Sequence, residues 1–157
     1  MSDSAAGLKD RLQSDLTAAI KGRDELRTAT LRMALSAVKA AEVAGRTARE
    51  LDDAEVLTVL GKEAKKRKEA ATAFSDAGRT ASAERELAEL SVLESYLPAQ
   101  LGDDELIAIV AEEVTAAATV GSSGMAAMGM VIKAVQARAA GLVEGGRVAA
   151  EVRRQLS

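Results

Sequence analysis

Five cations near the end of the chain, Lys133, Arg138, Arg147, Arg153 and Arg154, read as ordinary solvated side chains or as contacts for RNA phosphates. Such contacts are salt-sensitive and largely independent of base sequence. They act together only if the five converge on one surface. From residue 99 onward there are five basic and seven acidic residues, a balance of −2, and Arg147 can pair with Glu151 at i,i+4 spacing. The densest charge run is Lys62-Glu63-Ala64-Lys65-Lys66-Arg67-Lys68-Glu69. At about 100° per residue, Lys62, Lys65 and Lys66 point away from the neighbouring apolar stripe. This reads as a solvated face with a Glu63–Arg67 pair, or as a contact for a phosphate backbone or an acidic partner. Arg67 differs, because its Cα falls within the apolar stripe. A buried guanidinium needs a carboxylate, and Glu86, Glu89 and Glu94 on the following helix are the candidates.

Reactive groups are scarce. The chain has no cysteine and no histidine, which removes thiolate nucleophiles, the commonest general base and the commonest transition-metal ligands. Gly121-Ser122-Ser123-Gly124 is only superficially similar to the core of amidase-signature hydrolases, which run a Ser–Ser–Lys relay on a large α/β scaffold. Here it reads as a loop entering a helix. Asp52-Asp53 and Asp103-Asp104 sit where helices begin, and the helix dipole accounts for them. Glu112-Glu113 reads as an exposed face. No glycine-rich phosphate loop follows a strand. No catalytic residue, metal ligand or cofactor is expected.

The elements that must position these side chains are helices. The chain has 157 residues, 48% apolar but only 1% aromatic, and it is short of strand formers. Leu8, Leu12, Leu16 and Ile20 mark a first helix, interrupted at Gly22. A second, from about Asp24 to Ala44, carries two stripes, one of Leu31, Leu35 and Val38, the other of Leu26, Met33, Ala37 and Ala40. Apolar on two sides, it is expected to be central. Asp52 with Glu55 makes a capping box, and Leu51 with Val56 a staple, at the start of a third helix that ends near Gly78. Its stripe is Val56, Leu60, Ala64, Ala71 and Phe74. A fourth helix presents Leu87, Leu90, Leu93 and Leu97. Pro98 then breaks the pattern. Three more helices follow: one after Gly102 to about Ala118, one from about Met125 to Ala139, and a last one from about Arg147 to Leu156, burying Val148, Val152 and Leu156.

Several strings together resemble the YqeY family: Leu8-Lys9-Asp10-Arg11-Leu12, Thr30-Leu31-Arg32-Met33, Leu35-Ser36-Ala37-Val38-Lys39, Lys62-Glu63-Ala64-Lys65-Lys66-Arg67, Ala77-Gly78-Arg79-Thr80, Glu89-Leu90, Val92-Leu93-Glu94, Tyr96-Leu97-Pro98-Ala99-Gln100-Leu101, and Met128-Gly129 followed by Val131. The resemblance implies an all-α protein of two helical subdomains. Residues 1–98 would form a bundle of about four helices, and residues 99–157 a three-helix subdomain similar to the tail of GatB. GatB is the tRNA-recruiting subunit of the tRNA-dependent amidotransferase. By that kinship the partners would be tRNA, amidotransferase subunits or other translation proteins. DNA and membranes are not expected, and the location would be cytoplasmic. The label of carbon–nitrogen ligase with glutamine as amido donor travels with the same kinship, although these residues build no such site alone. The implied role is a non-catalytic accessory that recruits tRNA through the five late cations, or an adaptor that touches only protein. One turn departs from the family pattern. Ala140-Gly141-Leu142-Val143-Glu144-Gly145-Gly146 stands where relatives often place two basic side chains, and Gly124 and Ala127 replace a common Ser/Asp cap pair.

Overall fold

The computed structural model describes residues 7–139 and 142–157. Among these residues every regular element is helical. The chain divides into two compact units, one ending at Leu97 and the next starting at Pro98.

The first unit holds α1 (Leu8–Lys21), α2 (Glu25–Glu42), α3 (Asp53–Asp76) and α4 (Thr80–Glu94). In α1 the core takes Leu12, Leu16 and Ala19, while Ile20 is 47% exposed, contrary to the expected stripe. Each four-residue step rotates about 40° around the helix, so a strict i,i+4 ladder drifts off the buried face and the i+7 position replaces it. The α1–α2 corner falls at Gly22, as expected. Asp24 N–H donates to Ala19 O at 3.0 Å and Arg23 N–H to Ile20 O at 3.2 Å, a Schellman ending. Gly22 occupies the preceding cap position, so the left-handed residue is Arg23, at φ 55°. The same ending closes α3 and α5 with glycine in that place, Gly78 at φ 73° and Gly121 at φ 80°.

Helix α2 packs against α1, α3 and α4, as its two stripes require. Thr30, Leu31, Ala34 and Val38 are buried, and Leu26, Met33 and Ala37 are half-buried. Asp52 accepts Glu55 N–H at 2.9 Å and starts α3. The reciprocal half of the expected capping box is replaced, because the Glu55 carboxylate pairs with Arg49 at 2.8 Å. Asp53 does more than face its own dipole. Its Oδ1 accepts Leu8 N–H at 2.9 Å, so the first residue of α3 caps α1, where Gly7 has no side chain to do so. Val56, Leu60 and Ala64 of α3 join Leu90, Leu93 and Tyr96 in one core. Toward the α3–α4 turn the buried residues are only Ala71 and Ala83. Phe74 is half-buried, with Arg79 5.3 Å above its ring.

The second unit contains α5 (Asp103–Thr119), a 3-10 turn (Gly124–Ala127), α6 (Met128–Arg138) and α7 (Gly145–Leu156). Leu106, Val110, Ala127, Val131, Val135, Val148 and Val152 form its core, with Leu156 packed against them. Gly102 N–H donates to Glu105 Oε2 at 3.1 Å at the start of α5. The sixth helix begins at Met128 rather than Met125, because the turn before it is 3-10. The last helix begins at Gly145, two residues before the expected Arg147. Ala140 and Gly141, part of the altered turn, lie outside the described residues, as do residues 1–6. No single described helix is long and apolar enough to cross a membrane.

Candidate functional site

The five late cations separate into two groups. Arg138 on α6 bonds Glu112 at 2.8 Å and Glu113 at 3.0 Å on α5. Its hydrogen bonds to Glu113, then to Glu112, hold it above its ordinary pKa. Glu112-Glu113 is therefore an ion-pairing face rather than a merely solvated one. Arg147 donates to Leu101 O at 3.2 Å and to Asp103 at 2.8 Å. The expected Arg147–Glu151 pair does not form. Glu151 instead receives Arg154 through two bonds, at 2.6 and 3.0 Å, and Gln155 at 2.7 Å. Arg154, then Gln155, hold the Glu151 carboxyl below its usual range. Lys133 and Arg153 are exposed and have no ion pair or hydrogen bond from their side chains among the described residues. Three of the five predicted contacts are thus closed onto acids of their own unit.

The same unit leaves apolar side chains outside. Val120 is 71% exposed, Met125 52%, Met130 51% and Ile107 39%. A shallow groove of about 390 Å³ between α5 and α7 is lined by Leu106, Ile107 and Ala150 together with the Asp103–Arg147 and Glu151–Arg154 pairs. Among the described residues, no group of three His, Cys, Asp or Glu side chains is placed to hold a metal ion.

In the first unit, Arg67 is the centre of a charge network. It lies 3.3 Å from Glu63, 3.5 Å from Glu86 and 3.7 Å from Glu89. Two of the three expected partners on α4 are therefore correct. The third, Glu94, stands 3.8 Å from Lys68 instead. Glu63 does not belong to a solvated face: it is 7% exposed and also takes Lys66 at 2.8 Å. Glu89 is shared with Arg85 at 3.4 Å. Arg67 Nη2 also meets the Met33 sulfur. Its Nε is buried without a hydrogen bond, so ion pairing alone compensates it. Lys62 and Lys65 are exposed, as the periodicity requires.

Two further polar centres escaped the sequence reading. Lys9 bonds both oxygens of Glu42, at 2.8 and 2.9 Å, and Glu42 also accepts Leu51 N–H at 3.1 Å. These bonds fasten α1, α2 and the connection into α3, and the Lys9 bond holds Glu42 below the usual carboxylate range. The second centre is Tyr96. Its hydroxyl donates to Asp15 at 2.5 Å and accepts from Arg27 at 3.2 Å, and Arg11 lies 5.0 Å above its ring. The signal available was a tyrosine just before Leu97-Pro98, where a helix must be fastened before the chain turns. Nothing local named its partners, which stand 69 and 81 residues away.

Burial, then the Asp15 hydrogen bond, push the Tyr96 hydroxyl up to about 12. An unfolded tyrosine ionises near pH ~10. The folded state therefore keeps the proton longer, so this stabilisation is whole below pH ~10 and is lost as pH rises through the folded value. Tyr96 is the chain's one tyrosine and there is no tryptophan, so alkaline difference absorbance reads it alone. The expected midpoint is near the raised value. A midpoint near the free value, with the helical circular dichroism intact, would show the hydroxyl unheld.

Comparison with known proteins places these features in context. A family profile described as Yqey-like protein matches residues 9–156, nearly the whole chain. No curated protein matches it.

Proposed function

The chain belongs to the YqeY family, and from that premise we propose that it is a non-catalytic helical module that docks a protein of the translation apparatus through its C-terminal unit. The observation that supports this reading is the state of that unit's surface. Arg138, Arg147 and Arg154 are neutralised by neighbouring acids, while Val120, Met125 and Met130 stand more than half exposed. A cation already paired within its own unit must break that pair before it holds a phosphate. An exposed methionine has no ion pair to break before it meets an apolar surface, and it adapts its shape to that surface. The similarity to the GatB tail makes an amidotransferase subunit the first partner to try.

The test uses the purified chain and purified, nuclease-treated amidotransferase subunits. Capture that persists after nuclease and falls in a Val120→Ser/Met125→Ser variant is the expected result. No capture, or capture indifferent to those substitutions, rejects this docking surface. A second reading keeps the RNA partner. It is favoured by Lys133 and Arg153, which have no internal partner among the described residues. Under it, tRNA binding would fall in a Lys133→Ala/Arg153→Ala variant, and capture of protein would vanish with nuclease.

A further inference from the structure

A dense run of outward positive charge lies on α3, in the first unit. From Lys62 to Lys68 the sequence holds five cations and one acid, Glu63. Glu63 and Arg67 turn inward, with side chains only 10% and 18% exposed, and bond each other at 3.3 Å. That withdrawal leaves Lys62, Lys65, Lys66 and Lys68 on the surface, with Lys66 alone of the four reaching back to Glu63. Lys62 and Lys65 are exposed and have no ion pair among the described residues. Lys66 reaches Glu63 yet is 65% exposed, and Lys68 stands 3.8 Å from Glu94 and is 57% exposed. By helical rotation the four lysines share an outward arc of about 160° and a rise of about 9 Å. Glu69 falls on the same arc, and Glu63 and Glu94 pair with Lys66 and Lys68, so Lys62 and Lys65 carry the unpaired charge of this face.

We infer that this lysine face of α3 holds the phosphate backbone of single-stranded RNA, without reading its bases. Lysine ammonium groups are independent point charges, suited to successive phosphates rather than to one planar, two-oxygen ligand. No aromatic side chain is free to stack a base. Tyr96 is buried and Phe74 is capped by Arg79, which leaves charge as the recognition element. The single acid within the lysine run is held away from the surface by Arg67, so the buried network and the open face are one arrangement. This inference is independent of the C-terminal docking surface, since it lies in the other unit.

The experiment is fluorescence anisotropy of the full chain with a labelled oligouridylate between about 50 and 200 mM salt. Each neutralised phosphate on a single strand contributes roughly −0.7 to the slope of log affinity against log salt, so the two unpaired lysines, Lys62 and Lys65, give a slope of about −1.4. In Lys62→Gln/Lys65→Gln the slope is expected to fall close to zero, with roughly tenfold weaker binding at low salt. Lys62→Arg/Lys65→Arg should restore both, which separates lost charge from disturbed folding. The Lys133→Ala/Arg153→Ala variant should bind like the parent. No binding by the parent, or a glutamine variant with an unchanged slope, overturns the inference. So does a polyglutamate chain that binds as tightly as the oligonucleotide, which would assign the face to an acidic protein. Sensitivity only to Lys133→Ala/Arg153→Ala would move RNA to the C-terminal unit.

Discussion

Arg67→Met is expected to destabilise the chain by roughly 3–5 kcal/mol, the usual cost of removing one partner from a buried ionic group. The reason is what the substitution leaves behind. Glu63, Glu86 and Glu89 have side chains 10%, 17% and 13% exposed and converge on one guanidinium. Without it, three carboxylates face one another with only Lys66 and Arg85 to balance them from the surface. Arg67→Met/Glu86→Gln/Glu89→Gln should recover most of the loss, since it removes the uncompensated charge and keeps the volume. Urea unfolding of the two variants beside the parent measures this. A higher midpoint in Arg67→Met alone would mean that desolvation of the arginine outweighs its three pairs. The helical hairpin of α3 and α4 would then owe its stability to apolar packing alone.

Leu93→Ala is expected to cost about 2–5 kcal/mol, and Leu87→Ala at the other end of the same stripe no more than about 0.5 kcal/mol. Leu93 is fully buried in the first unit's core, whereas Leu87 is 52% exposed. Deleting the first opens a cavity among residues from four helices, and deleting the second uncovers nothing. Equal effects from the two would show that the part of α4 near Leu87 is covered in solution. Measured in the same urea series, the pair also sets a scale for the Arg67 variants.

Local patterns made much of the fold legible. The heptad-like spacing of small aliphatic residues, the near absence of strand formers, Asp52 before α3, Gly78 after it and Pro98 between the units each act within one turn of chain. Their consequences could therefore be read without knowing the rest. The failures are equally specific. Ile20 and Leu87 occupy regular i,i+4 or i,i+3 positions but fall outside the core, because repeated four- or three-residue steps rotate off the buried face. Arg23 takes the left-handed position because the hydrogen-bond closure of α1 falls one residue past Gly22. The Asp53 cap on α1 and the Asp15–Tyr96–Arg27 cluster are invisible locally, since each joins residues far apart in sequence.

The candidate site shows the same division. The sequence by itself determined that the chain is all helical, that it carries no histidine or cysteine chemistry, that α3 turns lysines outward, and that Arg67 needs acids on the next helix. These follow from residue type and from 100° of rotation per residue. Only the tertiary structure decided which cations are free. An ion pair forms wherever the fold brings opposite charges within about 4 Å, and a side chain on one helix has no means of announcing which neighbour will arrive. Arg138, Arg147 and Arg154 met acids, whereas Lys62 and Lys65 on α3 and Lys133 and Arg153 in the C-terminal unit did not, a division that residue type and spacing gave no means of reading.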